Sequence, residues 1–313
     1  MDNKINPKIS IIILNWNGLE NTVECLESLK KITYPNYEVI VVDNGSKEND
    51  VDVLKEEYRD YIKLIRNKEN LGFADGNNVG ILEVLKNKEV EYIFCLNNDI
   101  VVEPDVLDKL LKVAEDKKFK DFGSFQPKMV WYYHRDLMDS AGLLYSKNSL
   151  GFNRGGFESV EKYNELKEIF GCCGGAAFYR RKVVEELVKE DKEFFDSDFF
   201  AYYEDCDVSF RLLWRGWKCC FVPEAVVYHK RGGDTESISE FSSYLRHRNN
   251  LYVVFKNLPK SFIIKNFLII FLAQIISIII NFIRRGTFGF KVLKAKINAF
   301  RNYRAMKQKA VII

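Results

Sequence analysis

Runs of apolar residues alternate with amphipathic segments over about the first third of the chain. Apolar runs of four to six residues predict strands, and apolar residues at three-and-four spacing between them predict helices. The predicted strands are residues 9–14, 38–42, 62–66 and 92–96. The predicted helices are residues 21–31, 51–61, 76–86 and 104–113. Strands that alternate with single helices are typical of an α/β fold with a mainly parallel sheet flanked by helices.

The pattern changes twice further along the chain. From residue 126 to residue 175 the periodicity weakens, which predicts irregular segments over one edge of the sheet. Residues 267–283 are apolar except for Gln274, Ser277 and Asn281, a length at the lower limit for a membrane span. Beyond Gly286, apolar residues at helical spacing alternate with Lys and Arg, as in an amphipathic helix on a headgroup surface. We therefore expect one large domain at residues 1–255 and a membrane-associating helical tail at residues 256–313.

Charge is distributed unevenly along the 313 residues. All 44 acidic residues lie at or before Glu240, so residues 1–240 carry 33 − 44 = −11 and residues 241–313 carry +14. A basic segment without acids predicts a partner that carries phosphate, either lipid headgroups or nucleic acid. Because this tail is also apolar, an anionic membrane surface is favoured over nucleic acid and over a tail that is merely solvated. A homodimer built on the tail stays open.

Several classes of protein are disfavoured by what the sequence lacks. The seven cysteines have no zinc-site spacing and include no CxxC motif, which indicates reduced thiols in the cytoplasm. The chain also has no GxxxxGK[ST] phosphate loop and no GxGxxG fingerprint. Kinase-type NTPases and dehydrogenases are therefore disfavoured.

Polar residues follow the first two predicted strands. Asn15 and Asn17 come after the first strand, and Asp43 and Asn44 come at the end of the second. Because parallel sheets bind ligands at the carboxyl ends of their strands, these residues are candidates for a pocket that holds a heterocyclic base. A carboxylate such as Asp43 can accept a ring N–H. The alternative is that both segments are only structural turns.

Two more polar segments follow the next strands. The first contains Asn70, Gly72 and Asn78, and its glycines would let backbone N–H groups approach an anion beside a helix N-terminus. The second contains Asn98 and Asp99. A strand-end carboxylate is suited to Mg²⁺ or Mn²⁺, which takes one or two carboxylates together with substrate phosphate oxygens. The alternative for Asp99 is a cap on the following turn.

An acidic cluster and a basic segment complete the set of candidates. Glu204, Asp205 and Asp207 lie within four residues inside an aromatic frame, where mutual repulsion would raise at least one pKa towards the range of a general base. Helix capping is the alternative. Further on, His229 is a candidate metal ligand. The candidate phosphate-binding cations are Lys230, Arg231 and Arg248, and the pair Gly232-Gly233 would permit a mobile flap.

Taken in order, these segments resemble glycosyltransferase family 2, and most closely its rhamnosyltransferase-like branch. The resemblance rests on the segments NWNG, VVDNGS, NLGFADGNN, LNND, FxxYxEDxDxxxRxxxxGW and YHKRGG, and it covers residues 9 to about 255. It implies a GT-A fold and an inverting, metal-dependent transfer of a sugar from a nucleotide-diphosphate donor. Rhamnose as the sugar is suggested by the branch alone.

The resemblance also implies roles for individual residues. Asp43 would contact the donor base, and Asp99 would hold the metal as the last residue of a DxD-like motif whose first position is Asn97. Asp205 matches the catalytic carboxylate, with Glu204 beside it, so that which of the two is the base stays open. His229 matches a position near the metal and the diphosphate.

The acceptor side and the competing functions follow from the same residues. Gly174 and Gly175 would leave space for an acceptor hydroxyl, which we expect on a lipid-linked or cell-surface glycan precursor. A sugar-1-phosphate nucleotidyltransferase is disfavoured because residues 15–20 contain no cation. A membrane-tethered binding module without catalytic activity is disfavoured by the acids at Asp99 and Asp205. We expect the protein on the cytoplasmic face of the membrane, with its tail in the plane of the membrane or re-entrant.

Overall fold

The computed structural model describes residues 6–47, 49–231 and 240–311. Within these ranges the strands are β1 (Lys8–Asn15), β2 (Tyr37–Asp43), β3 (Ile62–Arg66), β4 (Val90–Asn97), β5 (Ile100–Val102), β6 (Phe122–Trp131), β7 (Met138–Ser140), β8 (Leu143–Tyr145), β9 (Gly151–Asn153), β10 (Lys167–Ile169), β11 (Ala176–Arg180) and β12 (Lys218–His229). The helices are α1 (Leu19–Leu29), α2 (Asp50–Tyr58), α3 (Gly72–Leu85), α4 (Val106–Ala114), α5 (Arg181–Asp191), α6 (Glu204–Trp214), α7 (Glu240–Asn257), α8 (Lys260–Lys265), α9 (Phe267–Arg285), α10 (Phe288–Arg301) and α11 (Tyr303–Gln308). The predicted flap at Gly232-Gly233 lies outside the described residues.

The central sheet has the order β3-β2-β1-β4-β11-β6-β12-β10. Strands β3, β2, β1 and β4 pair in parallel, and so do β6 and β12, while β11 is antiparallel to both of its neighbours. The predicted α/β fold with a mainly parallel sheet is therefore confirmed. After β3 the chain crosses to the other side of β1, so the order reverses between β1 and β4. In open α/β sheets, ligands bind outside the carboxyl ends of the strands at such a switch point.

Both faces of the sheet are covered, which explains the continuous apolar runs in the sequence. Ile9, Ile11 and Ile13 of β1 are buried against a core that includes residues of α1, α2 and α4. Ile12 points to the opposite face, where α3, α5 and α6 supply the core.

Helix α3 begins at Gly72, so the predicted start at residue 76 is wrong by four residues. Gly and Asn have low helix propensity, and here packing against the sheet overrides that preference. A Cβ at Gly76 would lie 2.5 Å from Cδ1 of Leu14, and a Cβ at Gly80 would lie 2.6 Å from Cγ2 of Ile12. The glycines therefore let α3 approach β1 more closely than residues with side chains would.

The predicted irregular segment at residues 126–175 is wrong at its start, because β6 continues through Trp131 in the middle of the sheet. Pro127, which suggests a break, pairs with β12 where the register shifts and its missing N–H does no harm. Gln126 is fully buried, and its Oε1 accepts a hydrogen bond of 2.7 Å from the backbone N of Cys173. Beyond Trp131 the segment consists of short strands and turns, as predicted.

The predicted tail forms helices that pack back on the rest of the protein. Helix α7 runs through the predicted domain boundary at residue 255. Ala299 of α10 and Met306 of α11 are buried in a cluster with Leu251, Tyr252 and other residues of α7. Helix α9 packs beside α10 and leaves one face exposed.

Candidate active site

The ends of β1, β2 and β4 meet at the switch point. Asn15 is opposite Asp43 in the register of β1 and β2, and Leu14 is opposite Asn97 of β4. The fully buried amide of Asn15 donates to Asp43 Oδ1 and to Asp50 Oδ2, each at 3.0 Å. The structure therefore brings together the polar residues predicted at the ends of the first two strands.

Asp43 is fully buried and is a hydrogen-bond acceptor within its own turn. Besides the bond from Asn15, its carboxylate accepts bonds from the backbone N of Ser46 at 3.2 Å and from the Ser46 hydroxyl at 2.5 Å. These three bonds fill three of the roughly four acceptor positions of a carboxylate, and the remaining one is on Oδ2. Contact with the donor base stays a prediction for Asp43.

Replacing Asp43 by Ala is expected to weaken binding of the nucleotide part of the donor more than that of the sugar-phosphate part. A hydrogen bond to a charged group contributes about 1.5–3 kcal/mol, which corresponds to roughly 10- to 150-fold in affinity. Calorimetry with UDP, GDP and dTDP measures the loss. The matched control is Ser46→Ala, which disturbs the same turn but keeps the carboxylate. Equal affinity of wild type and Asp43→Ala for every free nucleoside diphosphate would contradict the contact.

The amides predicted to bind the nucleotide sugar organise the turns around α3 in this structure. Asn44 Nδ2 donates to Asn70 Oδ1 and to the carbonyl O of Gly72, each at 3.0 Å. Asn78 makes two bonds with the backbone of Phe195, of 2.9 Å to its N–H and 2.7 Å to its carbonyl O. These amides fix where the N-terminus of α3 points.

Two other predicted contact residues also bond within the protein. Asn17 Oδ1 accepts the backbone N–H of Lys47 at 2.9 Å, and Asn98 Nδ2 donates to the hydroxyl of Thr22 at 3.0 Å. They join the ends of β1, β2 and β4 into one rim. Their contact with a ligand stays a prediction.

The two predicted metal ligands lie side by side. Strand β12 pairs with β5 in an antiparallel register that places His229 opposite Ile100, next to Asp99. His229 Nε2 is 3.2 Å from Asp99 Oδ1, and its Nδ1 is 2.8 Å from Oδ2 of Asp139 on β7. Burial alone would lower the pKa of His229, but the charges of Asp99 and Asp139 raise it to about 9.

The sequence motifs do not predict Asp139 as a residue of the site. It is a fully buried carboxylate in the three-residue strand β7, and it contacts both His229 and Arg231. Its only sequence signal is an acid within an apolar frame, at Met138-Asp139-Ser140. A carboxylate on the second nitrogen of a metal-binding histidine fixes the tautomer and the ring orientation. Asp139 therefore holds His229 with Nε2 directed at Asp99.

Asp99 and His229 fit a divalent cation that shares its coordination with a diphosphate. Among the described residues no group of three or more His, Cys, Asp or Glu side chains could hold a metal by itself. Mg²⁺ and Mn²⁺ do not need such a cage, because they keep water and take substrate phosphates as ligands. One carboxylate and one imidazole at the switch point match that requirement.

The cations predicted to bind phosphate are paired within the protein. Lys230 contacts Glu24, and Arg231 contacts Asp139. Arg248 Nη2 donates to the carbonyl O of Asp198 at 2.8 Å and of Phe199 at 3.0 Å. Contact of these three side chains with a diphosphate stays a prediction.

The acidic cluster divides into two parts with different environments. Glu204, Asp205 and Asp207 all lie in the first turn of α6. Asp207 is fully buried and accepts bonds from Arg211 at 2.8 Å and from Lys256 at 3.0 Å. Asp207 therefore joins α6 to α7.

The surroundings of Glu204 and Asp205 affect the pKa values of the two carboxyl groups differently. Burial, followed by the charge of Asp205, raises the pKa of Glu204 well above its usual value. Burial also raises the pKa of Asp205, but backbone N–H groups of Gly174 at 3.1 Å and Cys206 at 2.8 Å oppose that shift. Hydrogen bonds to the charged form favour it. The pKa of Glu204 is thus raised without the backbone N–H bonds that oppose the rise at Asp205, and the role of either carboxylate as a base stays a prediction.

Two consecutive glycines connect this carboxylate to the candidate metal ligands. A Cβ at Gly174 would lie 3.5 Å from Cβ of Asp205, and a Cβ at Gly175 would lie 3.8 Å from Cε1 of His229. The carbonyl O of Gly175 also accepts the backbone N–H of Asn97 at 2.9 Å. Asp205, the glycine pair and the two candidate metal ligands thus lie next to one another.

The sheet order and this strand-end site define the class of nucleotide-sugar transferases with the GT-A fold. Residues 10–188, more than half of the chain, match the sequence model of Glycosyl transferase family 2. The chain therefore belongs to glycosyltransferase family 2, as the sequence motifs predicted. The rhamnosyltransferase-like branch stays a prediction.

Two relatives show how far the sequence similarity extends. Glycosyltransferase GlyA of Streptococcus pneumoniae is 26% identical over 189 residues, which is 58% of this chain and 26% of that protein. An uncharacterized glycosyltransferase of Haemophilus influenzae is 34% identical over 107 residues, which is 34% of each chain. The chain thus matches only about a quarter to a third of the length of these relatives.

Solved structures share the fold at low sequence identity. GalNAc-T7 with UDP, GalNAc and Mn²⁺ has a TM-score of 0.60 at 16% identity, over 80% of this chain and 48% of that one. The mannosyltransferase PcManGT of Pyrobaculum calidifontis, in complex with GDP-Man and Mn²⁺, has a TM-score of 0.57 at 14% identity, over 98% and 84%. Staphylococcus aureus TarS in complex with UDP-GlcNAc has a TM-score of 0.56 at 18% identity, over 96% and 81%.

Proposed function

We propose that this protein is an inverting, metal-dependent glycosyltransferase that moves a sugar from a nucleotide-diphosphate donor to an acceptor hydroxyl. The observation that carries the proposal is the Gly174-Gly175 pair, which has the carboxylate of Asp205 on one side and His229 with Asp99 on the other. A carboxylate and a candidate cation site on either side of two residues without side chains match the geometry of a displacement at a sugar carbon.

In the proposed reaction Asp205 accepts the proton of the acceptor hydroxyl as the oxygen attacks the anomeric carbon. The bond from that carbon to the diphosphate oxygen breaks on the opposite face, so the configuration inverts. The N–H groups of Gly174 and Cys206 keep Asp205 ionised before the transfer, and Glu204 stays protonated beside it. General-base catalysis of this kind contributes about 10²–10⁴-fold to the rate.

The residues that would hold the cation are Asp99 and His229, with Asp139 orienting the imidazole. When bound, Mg²⁺ or Mn²⁺ supplies positive charge that stabilises the departing diphosphate. The backbone N–H groups at the start of α3 are bonded within the protein, that of Gly72 to Asn70 Oδ1 at 2.8 Å and that of Ala74 to the carbonyl O of Phe200 at 3.0 Å. Contact of this helix start with an anion stays a prediction.

The donor is proposed as a class. GalNAc-T7, PcManGT and TarS contain UDP with GalNAc, GDP-Man and UDP-GlcNAc respectively, and the sequence branch adds dTDP-rhamnose. We propose a lipid-linked or cell-surface glycan precursor as the acceptor. A thermal-shift screen of these donors with Mn²⁺, followed by assays of nucleotide release with and without the metal, tests the activity. Absence of release from every donor would favour a binding module without catalytic activity.

We further propose that the tail holds the enzyme on the cytoplasmic face of the membrane. Among the described residues, Phe267–Arg284 is the one helical segment long and apolar enough to cross a bilayer, by length and composition, and only 6% of it is buried. Its outward face exposes a row of large apolar side chains: Phe267, Leu268, Phe271, Leu272, Ile275, Ile276, Ile279, Ile280 and Ile283. Exposed cations surround it: Lys260, Lys265, Arg284, Lys291, Lys294, Arg301 and Arg304.

The packing of the tail supports an orientation in the membrane plane over a single crossing. After α9 the chain returns, so that Lys309 pairs with Asp196 of the catalytic domain at 2.7 Å. The chain therefore enters α9 after α7 and, beyond α10 and α11, ends up against the catalytic domain again. The polar stripe of α9 faces the protein, where Gln274 donates to Asn250 of α7 at 3.1 Å. Each Lys or Arg near an anionic surface adds about 1 kcal/mol to binding. All seven cysteines are free thiols, which supports a reducing compartment.

The triple variant Leu268→Ser, Ile276→Ser, Ile283→Ser is expected to lose binding to vesicles of phosphatidylcholine and phosphatidylserine. Burying one such side chain contributes about 1.5–3 kcal/mol, so the loss should be at least about 100-fold. Co-sedimentation measures it. The matched control replaces Leu82, Leu166 and Leu213, exposed leucines outside the tail, by Ser. Vesicle binding that survives the tail variant would contradict the proposal.

Two further measurements separate the alternatives for this face. A cysteine added after Ile313 is expected to stay unlabelled by a membrane-impermeant reagent in intact cells, and labelling would place the tail outside. The other outcome is that the wild type does not bind vesicles and sediments as a dimer, whereas the triple variant sediments as a monomer. In that case the exposed face of α9 binds a second copy of the chain.

A further inference from the structure

The segment that leads into Glu204 and Asp205 has an unusual backbone. Phe200, Tyr202 and Tyr203 have φ values of 63°, 69° and 69°. The left-handed region is unfavourable for residues with bulky side chains and persists only where the surrounding structure enforces it. Such strain next to a candidate base calls for a physical restraint.

The restraint on one side of this segment is the side chain of Asn249 on α7. Asn249 is fully buried, and its Nδ2 donates to the carbonyl O atoms of Phe199 at 2.8 Å, Ala201 at 2.8 Å and Tyr202 at 2.7 Å. An oxygen at that position would face three acceptors, so the orientation of the amide is fixed by its partners. The Asn249 side chain therefore binds three carbonyl groups of the turn, those of Phe199, Ala201 and Tyr202.

The other side of the segment is held by the start of α3. The carbonyl O of Phe200 accepts the backbone N–H of Ala74 at 3.0 Å. A Cβ at Gly72 would lie 2.5 Å from the same oxygen. The turn is thus confined between α3 and α7, and its last residue, Tyr203, directly precedes the first turn of α6.

We propose that Asn249 is a positioning residue for the catalytic carboxylates. By holding residues 199–203 in their left-handed turn, it sets the direction in which α6 begins and so places Asp205 against the N–H of Gly174. The proposal rests on the proposed function only in taking Asp205 as the base. Arg248, which precedes Asn249 on α7, donates to the carbonyl groups of Asp198 and Phe199 and makes no such bond to the last residues of the turn.

A matched control on the same helix distinguishes a role of Asn249 in positioning Asp205 from a role in stability alone. Asn257 is also a buried amide of α7, and its Nδ2 donates to Asp207 Oδ1 of α6 at 2.8 Å without contacting the turn. Asn257→Ala should therefore lower the thermal unfolding midpoint and leave the position of Asp205 unchanged.

The first measurement needs no substrate. Hydrogen–deuterium exchange of the Gly174 amide, which donates to Asp205 Oδ2, is expected to become faster in Asn249→Ala and to stay at the wild-type rate in Asn257→Ala. Equal exchange at Gly174 in the wild type and Asn249→Ala would overturn the proposal.

The second measurement is kinetic and uses a graded series at Asn249. Turnover is followed as nucleoside diphosphate released from whichever of UDP-GlcNAc, GDP-Man and dTDP-rhamnose the wild type uses fastest. Ser keeps a shorter donor, Ala keeps none, and Asp turns an oxygen towards three carbonyl groups. We expect kcat to fall in the order Asn, Ser, Ala, Asp, by about 10²-fold at Ala, with the donor KM nearly unchanged.

The outcomes distinguish this proposal from the proposed function. A fall in kcat that follows the thermal midpoint equally in Asn249→Ala and Asn257→Ala would overturn the positioning role. If Asn249→Asp does not fold, the wild type and the Ser and Ala variants still show whether kcat falls in the expected order. If Asp205→Asn stays active while Asn249→Ala loses turnover and Gly174 protection, the assignment of the base fails and the positioning of the turn stands.

Discussion

Replacing Asp205 by Asn is expected to lower the transfer rate by about 10²–10⁴-fold, the usual contribution of a general base. The amide has nearly the same shape and can still accept the N–H of Gly174, but it cannot take the proton of an acceptor hydroxyl. Donor affinity, measured by calorimetry with Mn²⁺ present, should stay at the wild-type value. Activity of the wild type should fall as the pH drops below the pKa of Asp205, because the protonated carboxyl is no longer a base, and this limb should vanish in the variant.

The matched control is Glu204→Gln, which replaces a buried carboxyl that we expect to be protonated already. A neutral amide is therefore close to the native state of that side chain, and transfer should continue. The assignment reverses if Asp205→Asn retains more than roughly a tenth of the wild-type rate while Glu204→Gln is inactive.

Replacing Asp99 by Ala is expected to abolish the metal dependence of donor binding. Among the described residues Asp99 is the carboxylate proposed as a metal ligand, and the variant would leave His229 as the other proposed ligand. The loss in Mn²⁺-dependent affinity for UDP or GDP should exceed the roughly 10- to 100-fold that follows from removing an outer hydrogen-bond partner of a ligand. Calorimetry at several Mn²⁺ concentrations measures it.

Asp139→Asn provides the graded comparison, because it keeps the size of the side chain but weakens the bond to His229 Nδ1. Its effect should lie within the roughly 10- to 100-fold range. Unchanged nucleoside diphosphate affinity of Asp99→Ala in saturating Mn²⁺ would rule out the ligand role. Undiminished wild-type transfer in EDTA would rule out the metal itself.

The fold was predictable where a local pattern determines it. The first four strands of the parallel sheet follow from short apolar runs, and the ends of β1, β2 and β4 place Asn15, Asp43 and Asn97 at one edge. The start of α3 was not predictable, because the glycines that permit it are helix-breaking by propensity. Their reason lies in Leu14 and Ile12 of β1, which are distant in sequence.

Within the site, the sequence predicts which types of residue are present but not which role each residue has. Glu204, Asp205 and Asp207 look alike in the sequence, and only the contacts of Asp207 with Arg211 and Lys256 separate it from the other two. Asp139 gives almost no signal, since its role depends on the pairing of β7 and β12 with the same strand, β6.

The ion pairs between the tail and the catalytic domain have a consequence for the cooperative folding unit. Lys256 Nζ is 2.5 Å from Asp196 and 2.9 Å from Asp207, and Lys309 Nζ is 2.7 Å from Asp196. Burial alone would raise the pKa of Asp196, but the two lysines hold it below its usual value. A fragment that ends at residue 255 would lack both lysines, which leaves Asp196 buried without either counterion and Asp207 paired with Arg211 alone. Removing one partner of a buried ion pair is strongly destabilising. The tail therefore contributes to the stability of the catalytic domain, and we expect the two to unfold in one thermodynamic transition.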